Sequence, residues 1–325
     1  MLTLDKKDRQ ILFELDKNSR ESINDLARKT KLSRDVVTYR MKRLEKEGLI
    51  KNYITIIDFT KFVHHIIRVY LKLQTTTQEI EQRMIQFFVH HKNTLTVYKI
   101  DGKYDLAVGF LVQDLQTYQQ CWEKFLTLFR PYIAFSNVSI FLDYVHYHRN
   151  YLVEKKLQDY TSLSTGSFVP FQYDPKDLQL LNQIKENARI SLLELSQRLK
   201  MTPTGVKYKL KNLEKNKVIV AYKLLIDTAK LGYEYYKVDL ELEDMSIIPA
   251  LNQFIVQHPH IIYRDITVGG SDFEFDCELR SPDELRALLD EIKALFPQKI
   301  RCYSYYRALT IYKYSYFPEE LLHKS

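Results

Sequence analysis

The sequence predicts an α+β chain in which two winged helix-turn-helix units alternate with two ferredoxin-like βαββαβ units. Three observations carry that prediction. The chain repeats itself, its positive charge is confined to two short segments, and the periodicity after each segment follows one strand–helix order twice. At 325 residues there is room for two to four domains with sizeable cores. No apolar run approaches the roughly 20 residues of a membrane span. The N-terminal Met-Leu-Thr-Leu-Asp-Lys-Lys lacks the apolar stretch of a secretory signal, so a cytoplasmic chain with no membrane partner is expected. Cys121, Cys277 and Cys302 lie far apart without Cys-x-x-Cys spacing and are expected as buried thiols. No metal or other cofactor is expected.

The repeat is direct. From Asp5 over Asp174 to Lys61 over Lys230, at an offset of 169, 21 of 57 positions are identical without a gap. Among them are Asp8/Asp177, Asn18/Asn187, Arg20/Arg189, Tyr39/Tyr208, Glu45/Glu214 and Tyr53/Tyr222. Weaker similarity follows at an offset of 167, where Gly102 and Asp105 meet Gly269 and Asp272. The turn-rich stretch between the copies reads as a linker at 150–172. The expected boundaries are helix-turn-helix units at 1–60 and 173–230, with α/β units at 61–149 and 231–325.

Charge follows the repeat. Residues 1–55 hold 14 basic and 9 acidic side chains, and residues 174–222 hold 10 and 5, whereas the rest of the chain is net negative within an overall +7. That distribution is the footprint of nucleic-acid-binding modules on neutral partners.

In each basic segment a helix opens near Asp5 or Asp174. A second opens at Ser22 or Ser191, where Asp25 or Glu194 three residues on makes a capping box. The third is capped by Ser33 or Thr202. Val37, Met41 and Leu44, like Val206, Leu210 and Leu213, form one apolar stripe. The opposite face carries Asp35, Thr38, Tyr39, Lys42, Arg43 and Lys46 in copy one, flanked by Arg34 and Arg40. In copy two it carries Thr204, Lys207, Tyr208, Lys211, Asn212 and Lys215, with Lys209 beside them. A basic helix face is ordinarily just solvated. Behind a capped helix and a tight turn it reads instead as the recognition helix that enters the major groove of double-stranded DNA. The β-rich Leu49–Ile57 that follows reads as a small wing.

These residues resemble the Lrp/AsnC (feast/famine) family of transcription regulators. The family's signature appears as Ser33-x3-Val37-x2-Arg40-Met41-x2-Leu44-Glu45-x2-Gly48-x-Ile50. It returns as Thr202-x3-Val206-x2-Lys209-Leu210-x2-Leu213-Glu214, with Lys217 in place of the glycine before Ile219. The resemblance implies sequence-specific DNA binding and regulation of transcription. It also implies RAM-type α/β domains that pair within one chain or in a homodimer. In some members such domains bind an amino acid near the turn after their second strand, which here gives Gly102 and Asp105, and Gly269, Gly270 and Asp272, as effector contacts. Gly-x-x-Asp is also simply a good hairpin turn.

The α/β units are expected as Ile66–Leu73, Gln78–His90, Thr94–Ile100, Asp105–Val112, Leu115–Phe129 and Tyr132–Tyr147. In copy two the elements are Tyr236–Leu242, Ile247–His258, Ile261–Val268, Phe273–Leu279, Pro282–Phe296 and Lys299–Tyr314, again in βαββαβ order. The tyrosines of 303–306 and the run Tyr312–Phe317 are expected to pack a sheet or an interface. The pairs His64-His65, His90-His91, His146-x-His148 and His258-x-His260 lack a third ligand at fixed spacing and are expected at the surface or an interface. The alternative reading is a siroheme decarboxylase, a group that resembles the same arrangement. Those enzymes carry an Arg/His-rich first strand in the α/β domain and a Trp-Pro-Tyr-Asn type motif. The strands here read Ile66-Ile-Arg-Val-Tyr-Leu-Lys-Leu73 and Tyr235-Tyr-Lys-Val-Asp-Leu-Glu-Leu242, and the one tryptophan is Trp122.

Overall fold

The computed structural model describes residues 3–62 and 64–314, so the end of the 312–317 aromatic run lies outside the described residues. Copy one opens with α1 (Lys6–Lys17), α2 (Ile23–Thr30) and α3 (Arg34–Lys46). The apolar stripes of these helices, with Ile11, Leu15, Leu26, Val37 and Leu44 all fully buried, close on one core. Then come β1 (Ile50–Ile57), β2 (His65–Leu73), α4 (Gln78–His90), β3 (Thr94–Gly102), β4 (Leu106–Val112), α5 (Leu115–Phe129) and β5 (Ile133–His146). The short β6 (Leu163–Ser164) precedes copy two: α6 (Pro175–Ile184), α7 (Leu192–Leu199), α8 (Pro203–Lys215), β7 (Ile219–Ile226), β8 (Glu234–Leu242), α9 (Ile248–Gln257), β9 (Ile261–Val268), β10 (Phe273–Leu279), α10 (Pro282–Leu295) and β11 (Ile300–Tyr314). None of these helices is long and apolar enough to cross a membrane.

Each α/β half has the sheet order of a ferredoxin-like unit, β3-β4-β2-β5 and β9-β10-β8-β11. The halves join edge to edge within one chain. Antiparallel β3–β11 and β5–β9 ladders, with Gly102 opposite Tyr306 and His146 opposite Tyr263, close eight strands into a barrel. Closure leaves neither half with a free edge. The helices cover the outside, packed on apolar side chains such as Phe88, Phe110 and Phe125 in one half and Phe273, Phe275 and Leu289 in the other. The inner faces look into a lumen that carries buried Arg68, Lys237, Asp265, Glu274 and Asp276.

Several local expectations are corrected. The strand after each third helix does not fold back as a wing hairpin: β1 pairs antiparallel with β7 of the other copy, from Ile50 opposite Ile226 to Ile57 opposite Ile219. Each strand also completes the other copy's core, since Leu224 and Ile226 pack with α1–α3 and Ile57 packs with α6–α8. The reciprocal capping boxes sit at Asp5/Asp8 and Asp174/Asp177, one helix earlier than expected. Ser22 and Ser191 cap their helices without the return bond. The expected linker at 150–172 is mostly exposed and touches the fold at points: Asn150 and Leu152 are buried, β6 pairs with the end of β5 and Ser167 bonds Asp58. Cys302 is exposed, unlike buried Cys121 and Cys277. His64, His146 and His148 are buried, not superficial.

Candidate nucleic-acid interface and barrel interior

Helices α3 and α8 present the predicted face. Ser33 accepts a hydrogen bond from Val36 N at 3.3 Å and Thr202 from Gly205 N at 3.1 Å, which fixes both helix starts. Arg34, Asp35, Tyr39, Lys42 and Lys46 are exposed in copy one, as are Thr204, Lys207, Tyr208, Lys211 and Lys215 in copy two. Tyr39 is 67% exposed and Tyr208 71%, an uneconomical placement for an aromatic ring unless a partner covers it. Lys217, where Gly48 has φ 66°, takes up φ 54°, so both copies leave the third helix by the same left-handed turn.

Some predicted contacts are committed to the fold. Arg40 donates to Asp5 at 2.7 Å and to Asp8 at 2.8 Å, and Arg43 reaches Asp8 at 2.6 Å. Lys209, in the position of Arg40, donates to Asp174 at 2.7 Å and Asp177 at 2.9 Å. Their carboxylate partners raise the pKa of Arg40 and Arg43, and for Lys209 the same ion pairs outweigh the opposing effect of burial. Thr38 bonds back to the Arg34 carbonyl at 2.9 Å, and Asn212 accepts from the Asn216 amide at 3.0 Å. Arg40 and Lys209 therefore tie the third helix of each copy to the first, while Arg34, Lys42, Lys46, Lys207, Lys211 and Lys215 are among the cations offered to solvent.

The two helix-turn-helix units are clasped by residues the repeat keeps identical. Arg189 donates to the carbonyls of Ser19 and Glu21 at 2.7 and 2.8 Å and lies over the Tyr53 ring at 5.4 Å. Arg20 mirrors it, bonding the Ala188 carbonyl and lying over Tyr222 at 5.6 Å. Tyr53 in turn donates to Glu45 at 2.5 Å and Tyr222 to Glu214 at 2.7 Å. A third tie runs to the barrel. Asp16 on α1 is fully buried and accepts from Arg149 at 2.7 Å and Lys223 at 3.2 Å, while Arg149 forks onto Glu278 of β10 at 3.0 Å. Burial opposes ionisation of Asp16, but the two cations hold its carboxyl well below the usual range.

The turns predicted to meet an effector have structural work. Asp105 accepts from Leu73 N at 2.7 Å and Lys72 at 2.9 Å, and Asp272 accepts from Leu242 N at 2.8 Å. A Cβ on Gly270 would collide with Glu274 and Thr267, and Gly269 sits at φ 81°. None of Gly102, Asp105, Gly269, Gly270 and Asp272 lines the lumen, where a cavity of about 210 Å³ is bounded by side chains from all eight barrel strands. Arg68 and Lys237, equivalent in the repeat, meet there around the same acids. Arg68 binds Asp265 at 2.7 Å and Glu274 at 2.6 Å; Lys237 binds Asp265 at 2.5 Å and Glu274 at 2.9 Å. The sequence reading missed this cluster. Glu274, Asp276 and Glu278 alternate with Phe273, Phe275, Cys277 and Leu279. That alternation usually marks a solvent face.

A family model described as winged helix-turn-helix DNA-binding matches residues 4–51 and 173–220. An uncharacterised HTH-type transcriptional regulator of Pyrococcus horikoshii is 30% identical over 120 residues, 36% of this chain and 76% of the relative. The HTH-type transcriptional regulator LrpB of Bacillus subtilis is 26% identical over 121 residues, 37% of this chain and 81% of the relative. Among solved structures, the siroheme decarboxylase NirDL superposes with a TM-score of 0.65 at 11% identity, covering 97% of this chain and 96% of that one, a likeness of fold.

Proposed function

The chain belongs to the Lrp/AsnC family of helix-turn-helix transcription regulators, and we propose that it reads duplex DNA in the cytoplasm with α3 and α8 of one chain as an unequal pair. The observation that supports this most directly is the twofold presentation of Tyr39 and Tyr208, each the most exposed aromatic of its copy among the described residues and each sharing a capped helix with exposed lysines. Lysines supply affinity through phosphate; Tyr39, Thr204 and Tyr208 discriminate bases. Because exposed Asp35 has Thr204 as its equivalent in the repeat, and Thr38 has exposed Lys207, the site read is an imperfect inverted repeat.

Selection of bound DNA from random sequence tests the reading. Unequal half-sites are expected, with Tyr39→Ala altering one and Tyr208→Ala the other. A perfect palindrome indifferent to Lys207 and Lys211 would overturn it. We read the chain as a non-enzyme. The decarboxylase alternative has the full-length likeness of fold in its favour, but the sequence lacks the Trp-Pro-Tyr-Asn type motif, and Arg68 of the relevant strand is held by two acids. Incubation with siroheme is expected to leave its absorption spectrum unchanged.

A further inference from the structure

The lumen holds four buried carboxylates, Asp239, Asp265, Glu274 and Asp276, against two cations, Arg68 and Lys237. Both cations bind Asp265 and Glu274 at 2.5–2.9 Å, and Lys237 stands farther from Asp276, at 3.5 Å, and from Asp239, at 3.9 Å, while Tyr235 donates to the other oxygen of Asp276. The second oxygen of Asp265 and one oxygen of Asp276 accept no hydrogen bond, although each residue is at most 5% exposed and lines the cavity. His146 lines it too, 4% exposed, and neither ring nitrogen has a hydrogen-bond partner. Buried groups of this kind ordinarily find a partner, and three around one cavity point to a missing one.

The chemistry of that partner follows from the walls. Like charges crowded out of water repel, so a further cation is wanted: burial, with Asp265 adding to it, pushes Asp239 up to about 6 and Asp276 up to about 7 even though Lys237 and Arg68 pull both down. A metal ion does not suit, because among the described residues no three His, Cys, Asp or Glu side chains are grouped to hold one. Tyr70, Tyr98, Phe141, Tyr144, Tyr235 and Tyr306 give aromatic walls on which an organic cation rests well. His146 lies two strands from Asp276, in the same cross-strand row through Tyr263, which puts roughly 10 Å of backbone between them. Burial, reinforced by Lys223, lowers His146 to about 3, so its ring is neutral and offers one donor and one acceptor. The cavity measures about 210 Å³, which limits the ligand to a compact molecule.

We propose that the barrel lumen is a binding site for a compact primary amine with an apolar or aromatic body and a hydroxyl at its far end, the ammonium meeting Asp265 and Asp276 and the hydroxyl meeting His146. The site stands apart from the DNA-reading helices, and binding to it is measured without DNA. Titration calorimetry of the full chain with tyramine, phenethylamine, tyrosine and 3-(4-hydroxyphenyl)propionate tests it. Tyramine is expected to bind best, phenethylamine less well for want of the hydroxyl, and the two carboxylates more weakly than tyramine by about tenfold or more. Asp265→Asn and Asp276→Asn should each weaken tyramine by about tenfold, and His146→Phe should abolish its advantage over phenethylamine. Near-uv circular dichroism identifies any variant that has lost its fold, and the ligand series on the unaltered chain needs no variant. Failure of both amines to bind, or binding of the propionate as tight as tyramine, overturns the assignment.

Discussion

Arg189 donates to the backbone carbonyl of Ser19, 170 residues away, at 2.7 Å, and so fixes how one helix-turn-helix unit sits against the other. Hydrogen bonds from a charged donor are worth about 1.5–3 kcal/mol each. Arg189→Ala should therefore destabilise the junction by about 2 kcal/mol and leave each half-site recognised. What falls is the advantage of a full DNA site over a half-site, because that advantage depends on holding two recognition helices at one spacing. Binding measured on full and half sites checks this; an unchanged ratio would mean that the β1–β7 ladder alone sets the spacing.

Arg40 and Lys42 lie two residues apart on α3 and should respond oppositely. Arg40→Ala strips a partner from buried Asp8 and should cost about 1–3 kcal/mol of stability. Lys42→Ala touches no buried group and should leave the denaturation midpoint within experimental scatter. It should weaken DNA binding at all sequences and reduce the salt slope by about one charge. A loss of stability in the Lys42 variant would contradict its exposure.

Gly102 sits at φ 134° on the β3–β11 ladder, and a Cβ there would stand 2.5 Å from the Tyr305 carbonyl oxygen. Gly102→Ala should open that seam at a cost of about 2 kcal/mol or more. Amide exchange in β3 and β11 should quicken before exchange in β2 and β4 does. Uniform protection across the barrel would show that the seam yields without breaking.

Burial raises the Asp276 carboxyl from 3.8 to about 7. Between those values the folded chain keeps a proton that the unfolded chain has released. The stability contributed by this group is therefore complete below pH 3.8 and is lost as pH rises to about 7. Asparagine imitates the protonated acid, so Asp276→Asn should gain on the parent through that window and keep the gain above it. Urea midpoints at acid, intermediate and alkaline pH read the difference. A gain that does not grow with pH would show Asp276 ionised in the fold.

Much of this was legible in sequence. α4, α5, β9 and β10 lie at the residues that periodicity assigns them, because an apolar stripe at helical or strand spacing is written locally. The face of α3 was legible for the same reason. The partner of a strand is not local: nothing in Ile50–Ile57 says that it will pair with Ile219–Ile226 instead of folding back on itself. Nor does alternation say which face is wet. Glu274 and Asp276 read as solvent-facing because the inner surface of a closed barrel does not exist until both halves are joined. Burial of His146 and His148 has the same origin, since both lie where β5 leaves the barrel for the first helix-turn-helix unit.

The acids of β10 have no counterpart in copy one. Where copy two has Glu274, Asp276 and Glu278, the matching positions of β4 are Ala107, Gly109 and Leu111. In a barrel made by two identical short chains every lumen residue faces its own image. A partner carrying the β8–β10 residues twice would set twice four carboxylates against twice one lysine in an interior without bulk water. Joining the copies in one chain releases each position from its mirror image: one half can become acidic because the other stays small and neutral. The lumen thus shows what two unequal halves in one chain permit: an acidic wall on one side set against small and neutral residues on the other.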